Sequence, residues 1–157
     1  IGDSKQGVSR MRYQGYLDAL RSNQIVTPPE YIEHGSFTYQ SGMEAAVKLL
    51  SLDDKPTAIF AANDDMAAAV ISIAQKQGIN IPKELSVVGF DDTQLATIVW
   101  PNISTVKQPI NEMAELSISL LASGKYKDLS EVKSADLRHI LDFEIIERES
   151  SAHNQNT

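Results

Sequence analysis

Residues 55–92, KPTAIFAANDDMAAAVISIAQKQGINIPKELSVVGFDD, constrain the fold more than any other stretch of the chain. Two apolar runs, at 57–62 and 85–90, each end in a polar cluster: Asn63-Asp64-Asp65 after the first, Asp91-Asp92 after the second. Short apolar runs bounded by turn residues read as strands buried on both faces. Between them, about fifteen residues with helical spacing stop at Gly78. Strand, polar turn, helix and strand in this order form a βαβ unit, whose crossover is expected to be right-handed. Open parallel sheets bind ligands beyond the carboxyl ends of their strands. Asn63 and Asp91 stand at two such ends, so both are expected to face one crevice.

The rest of the chain continues the alternation. A first helix is expected over 9–23, with Met11, Leu17 and Leu20 sharing a face and Arg10 in solvent. Pro28-Pro29 breaks the chain before a short strand, Tyr31-Ile32-Glu33-His34. A second helix over 40–52 turns Met43, Ala46, Val47, Leu49 and Leu50 inward. Asn63 or Asp64 caps the third helix, since both accept from free N–H groups. A short irregular helix follows at 93–99, stopped by Pro101, then an extended stretch at 103–106 and an amphipathic helix at 111–122. A final strand is expected at 137–146, and SSAHNQNT, 150–157, has nothing to bury.

At 157 residues, the chain suits one domain that buries roughly 70% of its extended surface. It has no cysteine, so it has neither disulfide framework nor thiolate metal site. No apolar run has membrane-spanning length and no signal peptide is visible. A net charge of −7 argues against this segment itself gripping phosphates.

Five stretches carry a resemblance. SRMRYQGYLDAL (9–20), HGSFTYQSGMEAA (34–46), ANDDMA (62–67), QGINIPKELSVVGFDD (77–92) and STVKQP (104–109) occur in this order. Together they resemble the effector-binding core of the lactose- and galactose-repressor family of bacterial transcription regulators, from residue 1 to about 148. The resemblance implies an α/β fold: a three-layer open parallel sheet of the periplasmic-binding-protein-like type I fold, C-terminal lobe. It divides the chain into 1–107 in that lobe, 108–136 as crossover helix and loop of the N-terminal lobe, 137–148 as the final strand, and 149–157 as a disordered tail. A helix-turn-helix, a hinge and an N-terminal subdomain precede such a lobe in the family, so the chain reads as a fragment of a longer repressor. The implied partners are a small-molecule effector of the sugar or nucleoside class, a second copy in a homodimer, and DNA. The DNA would be held by the helix-turn-helix domain absent from this chain. No membrane, cofactor or catalysis is implied, and the location implied is cytoplasmic.

A sugar- or nucleoside-like ligand presents vicinal hydroxyls, which suit guanidinium, carboxylate and amide partners, and a ring face that suits an aromatic wall. Arg12 matches the arginine that clamps effector oxygens in the family; otherwise it is a solvated helix arginine. Asp91 follows the strand LSVVGF and can accept from two hydroxyls, whereas Asp92 is expected to cap the following turn. Asn63 offers a donor and an acceptor, with N-capping as the rival role. Phe37 matches a position whose aromatic ring stacks on the ligand; the rival is a small cluster with Tyr39. Gln6, Val8 and Gln108 lie in loops that approach the same cleft in the family. The stretch Ile98-Val99-Trp100, with the outer face of the third helix near Ala68 and Ser72, matches the family's homodimer contact.

Other chemistry has less support. Asp64, Asp65, Asp91 and Asp92 could serve a glycosidase or a hard cation, but no second ligand set has metal spacing, and solvated caps explain them. His34, His139 and His153 are scattered, without a hydrolytic motif. An extracytoplasmic sugar-binding protein of a transport system shares the fold and the strand-edge chemistry, and stays open beside the regulator. The segment NIPKEL (80–85) and STVKQP favour the regulator.

Overall fold

The structure, a computed structural model, describes residues 1–123 and 138–153. The chain divides into two compact units, one of Ile1–Val106 with Ile145–Thr157 and one of Lys107–Glu144. The larger unit holds α1 (Gly7–Ser22), α2 (Tyr39–Leu49), β1 (Ala58–Phe60), α3 (Asp64–Lys76), β2 (Ser86–Asp91), α4 (Leu95–Ile98) and most of β3 (Ser104–Lys107). The strands form one sheet in the order β1-β2-β3-β4, with β4 at Glu144–Ile146. β1 and β2 run parallel, Ile59 opposite Val87, as the βαβ pattern demands.

The centre of this unit is α3. Ala67, Ala69 and Ala74 are fully buried, and Met66, Val70, Ile71 and Ile73 nearly so. A helix buried on almost every side suits a sequence of small and apolar residues all round. The core continues into Leu50, Leu85, Val87 and Ile103, each worth roughly 1.5–3 kcal/mol of transfer free energy. Both ends of α3 are locally encoded. Asn63 Oδ1 accepts from the Met66 N–H at 3.1 Å, which makes it the N-cap. Gly78 takes φ +73° at the other end. Its N–H reaches the Gln75 carbonyl and that of Ile79 the Ala74 carbonyl, a Schellman closure that favours glycine.

Some expectations need correction. On α1 the inward stripe is Ser9, Arg12-Tyr13, Tyr16-Leu17 and Leu20, and Met11 faces solvent. Val47 of α2 is likewise exposed. The segment 31–34 is no strand: Pro29–Tyr31 forms a 3₁₀ turn, and beyond it the Glu33 carbonyl and the Gly35 N–H bond Ile1 without extending into a ladder among the described residues. β4 covers three residues rather than 137–146, and Ile140 and Phe143 just before it are exposed. The supposed tail from 149 is tied down at its start. Ser150 is fully buried: its Oγ donates to the Val87 carbonyl at 2.6 Å and accepts from the Ser104 N–H at 2.8 Å. Small hydroxyl side chains can be buried once their donors and acceptors are matched. Residues 154–157 of that tail, like 124–136 of the crossover and 137 of the expected final strand, lie outside the described residues.

The smaller unit contains α5 (Ile110–Ala122), close to the expected 111–122, and an exposed ion pair between Lys107 and Glu144 at 3.2 Å. No residue of α5 is buried, and Ile118 and Leu121 face solvent. Among the described residues, no helix is long and apolar enough to cross a membrane.

Candidate functional site

The carboxyl ends of β1 and β2 meet α1 at Arg12. Its Nη1 donates to the Ala62 carbonyl, just beyond β1, at 2.6 Å. Its Nη2 lies 3.8 Å from Asp91 Oδ1 at the end of β2. The guanidinium carbon stands 3.7 Å from the centre of the Phe90 ring and 5.7 Å from that of Phe37. Both distances fall in the cation–π range, with Phe90 the stronger partner. Arg12 is therefore no solvated surface residue: its side chain is 19% exposed, against 32% for Asp91. Burial lowers the Arg12 pKa from its ordinary value, and the charge of Asp91 opposes that shift. A charged fork held between a carbonyl, a carboxylate and a ring face is set to offer its remaining donors to oxygen atoms.

Asn63 lines the same edge but is largely committed. Besides the N-cap bond, its Nδ2 donates to the Phe37 carbonyl at 2.9 Å, and it is nearly buried. The capping role is thus realised, and the amide also pins the Phe37 backbone. Phe37 has φ +61°, half-buries its ring over Gly2 and packs against the core. Gln6 precedes α1 as an exposed residue without a side-chain capping bond, and Val8 is half-exposed in the first turn. Gln108 belongs to the smaller unit, ahead of α5, where its carbonyl accepts from the Ile110 N–H.

Two of the neighbouring carboxylates depart from the expected solvated caps. Asp64, expected to be a solvated cap, is fully buried and accepts from Thr93 and Thr105. Asp92 does not cap the next turn: Asp64 takes the Thr93 N–H instead, and Asp92 pairs with Arg148 at 2.7 Å. Among the described residues, no cluster of acidic or histidine side chains is arranged to hold a metal. Sequence reasoning passed over Phe90, which it placed only as a strand residue. It also passed over Ser9, one turn before Arg12 on the inward stripe of α1. The Ser9 hydroxyl is buried without a hydrogen-bond partner among the described residues.

A cavity runs along β1, lined by Arg12, Tyr16, Tyr31, Ala45, Ala58 and Phe60 among others. Its wall is mostly apolar and does not include Phe37, Asn63 or Asp91, but Arg12 and Ala62 line it, so it meets the polar edge at Arg12. On another face, Ile98 and Trp100 project into solvent, Trp100 at 71% exposure, while Val99 packs against the core. Trp100 therefore does not fold back over the sheet. On α3, Ser72 is half-buried, but Ala68 lies in the core and presents no outer face.

The chain matches the periplasmic binding protein-like domain over residues 1–151. It is 39% identical over 132 residues to catabolite control protein A of Priestia megaterium, an alignment spanning 84% of this chain and 40% of that protein. It is 38% identical over 120 residues to the HTH-type transcriptional repressor CytR of Escherichia coli strain K12, across 76% of this chain and 35% of the repressor. The chain thus spans less than half the length of these curated relatives. Among solved structures, it superimposes with a TM-score of 0.82 on a sugar-binding transcriptional regulator of the LacI family from Escherichia coli complexed with phosphate. That pair is 32% identical, covering 95% of this chain and 52% of the other.

Proposed function

Because the chain belongs to the periplasmic binding protein-like domain family and is similar to transcriptional repressors and to a LacI-family regulator, we propose that it is the effector-sensing part of a DNA-binding transcriptional regulator. The observation that carries this reading is the Arg12–Asp91 pair on the Phe90 ring, at the shared carboxyl edge of β1 and β2. Guanidinium and carboxylate together match the vicinal hydroxyls of a sugar or nucleoside, and Phe37 supplies a ring wall. A solved relative described as sugar-binding supports that ligand class. Relatives that are repressors and regulators favour this reading over a transport-system binding protein.

In this proposal, residues 1–107 with the final strand form one lobe, and α5 with its apolar residues belongs to the other. Gln6, Val8 and Gln108 approach the effector from loops, alongside Arg12, Phe37, Asn63 and Asp91. The effector binds at the carboxyl edge of β1 and β2 and so changes how a cytoplasmic homodimer presents its DNA-binding domains. Such coupling is typically about 1–3 kcal/mol. Ile98, Val99, Trp100 and Ser72 form the contact with the second copy, and no catalytic step is involved.

The test is a nuclear magnetic resonance titration of the chain with cellobiose, D-ribose and adenosine at millimolar concentrations, since a single lobe binds weakly. At least one compound is expected to perturb Arg12, Phe37, Phe90 and Asp91 together, and Arg12→Ala and Asp91→Ala are expected to abolish the response. Perturbations confined to other surfaces would refute the site.

A further inference from the structure

Two residues in the corner after β2 hold backbone angles that side chains disfavour: φ is +107° at Asp91 and +55° at Asp92. Such angles persist only where the surroundings over-determine them, and they cluster at functional sites. Here the surroundings are visible on both sides of the corner.

On one side stands Arg148. Its Nη2 donates to Asp92 Oδ1 at 2.7 Å while its Nη1 donates to the Ile103 carbonyl at 2.8 Å. Its backbone is fixed as well, since the Arg148 N–H donates to Ser104 Oγ at 2.8 Å. Both side chains of the Asp92–Arg148 pair are less than a fifth exposed. On the other side stands Asp64. One of its oxygens accepts from the Thr93 N–H at 2.6 Å and from Thr93 Oγ1 at 3.1 Å; the other accepts from Thr105 Oγ1 at 2.7 Å. Gly89 leaves the room for this carboxylate, because a Cβ there would collide with Asp64 Oδ1.

We propose that Arg148 and Asp64 are positioning residues for Asp91: by anchoring Asp92 and Thr93, they fix the corner and aim the Asp91 carboxylate at Arg12 and the effector. This rests on reading Asp91 as an effector contact. The role requires arginine at 148. A planar fork serves the Ile103 carbonyl and Asp92 at once, whereas a lysine ammonium is a single point charge on a flexible stem. Neither anchor bonds Arg12 among the described residues; Arg148 acts on it through the corner, whereas Asp64 also stands two residues from Ala62, whose carbonyl holds Arg12, so Arg148 carries the decisive test.

The experiment follows amide exchange and the Arg12 Nε–H resonance in the ligand-free chain. Arg148→Lys is expected to speed amide exchange at residues 91–93 by about tenfold and to shift the Arg12 signal, leaving the amides of Ala69, Val70 and Ile71 unchanged. Asp64→Asn is expected to act in the same way through Thr93. In an Asp91→Ala background, Arg148→Lys should no longer move the Arg12 signal, a loss that a merely structural role would not produce. An unmoved Arg12 signal in folded Arg148→Lys, or exchange that accelerates uniformly through α3, overturns the proposal. Should Arg148→Lys fail to fold, Asp92→Asn is read by the same criteria. Failure of the effector reading looks different: sugar binding survives Asp91→Ala, while Arg12 still responds to Arg148→Lys.

Discussion

Replacing Asp91 by glycine and by alanine separates its chemistry from its backbone. Both substitutions delete the same carboxylate, so every bond it makes is lost equally, including the 3.8 Å pairing with Arg12. That pairing is partly exposed and contributes at most about 1 kcal/mol. The substitutions differ at φ +107°. Holding a non-glycine residue in such a region costs on the order of 1–3 kcal/mol. Glycine removes this strain, but it loosens the unfolded chain, which offsets about 0.4–1 kcal/mol. Asp91→Gly is therefore expected to be more stable than Asp91→Ala by about 1–2 kcal/mol, and to match or exceed the parent chain. At this chain length the gap corresponds to roughly 2–8 °C in Tm. Thermal melts followed by circular dichroism measure it directly, and effector binding should vanish in both variants. Equal melting temperatures for the two variants would refute the strain argument, and alanine melting above glycine would invert it.

Two further outcomes are expected. Ser9→Ala removes a buried hydroxyl without a partner, so urea denaturation should show a gain of about 1 kcal/mol in the ligand-free chain; a loss would mean that Ser9 Oγ is satisfied in solution. Ile98→Asp with Trp100→Glu places charge on the two exposed side chains of the patch and leaves Val99 in the core. Sedimentation should then show any dimer dissociating, and an undiminished dimer would move the contact elsewhere.

The local features of this chain were legible because they depend on residues near one another in sequence. Two apolar runs, a capping asparagine at 63 and a left-handed glycine at 78 suffice to place β1, α3 and β2. The spacing also put Asn63 and Asp91 at strand ends, and the resemblance supplied Arg12. What the local pattern missed were short elements without a lasting partner: residues 31–34 are polar and apolar in a strand-like way, yet a strand exists only where a ladder holds it. The fates of Asp64 and Asp92 were not legible at all. Asp64 and Asp92 look alike in sequence, each beside another aspartate after a strand. One is buried because Thr93 and Thr105, the latter 41 residues away, donate to it. The other is paired because Arg148 arrives from 56 residues further on. Likewise, only the approach of α1 to β2 turns Phe90 from a strand residue into the ring beneath Arg12. Secondary structure follows from short-range periodicity and capping, but the partner of a charge is set by whichever distant segment the packed core brings within 3 Å or so of it.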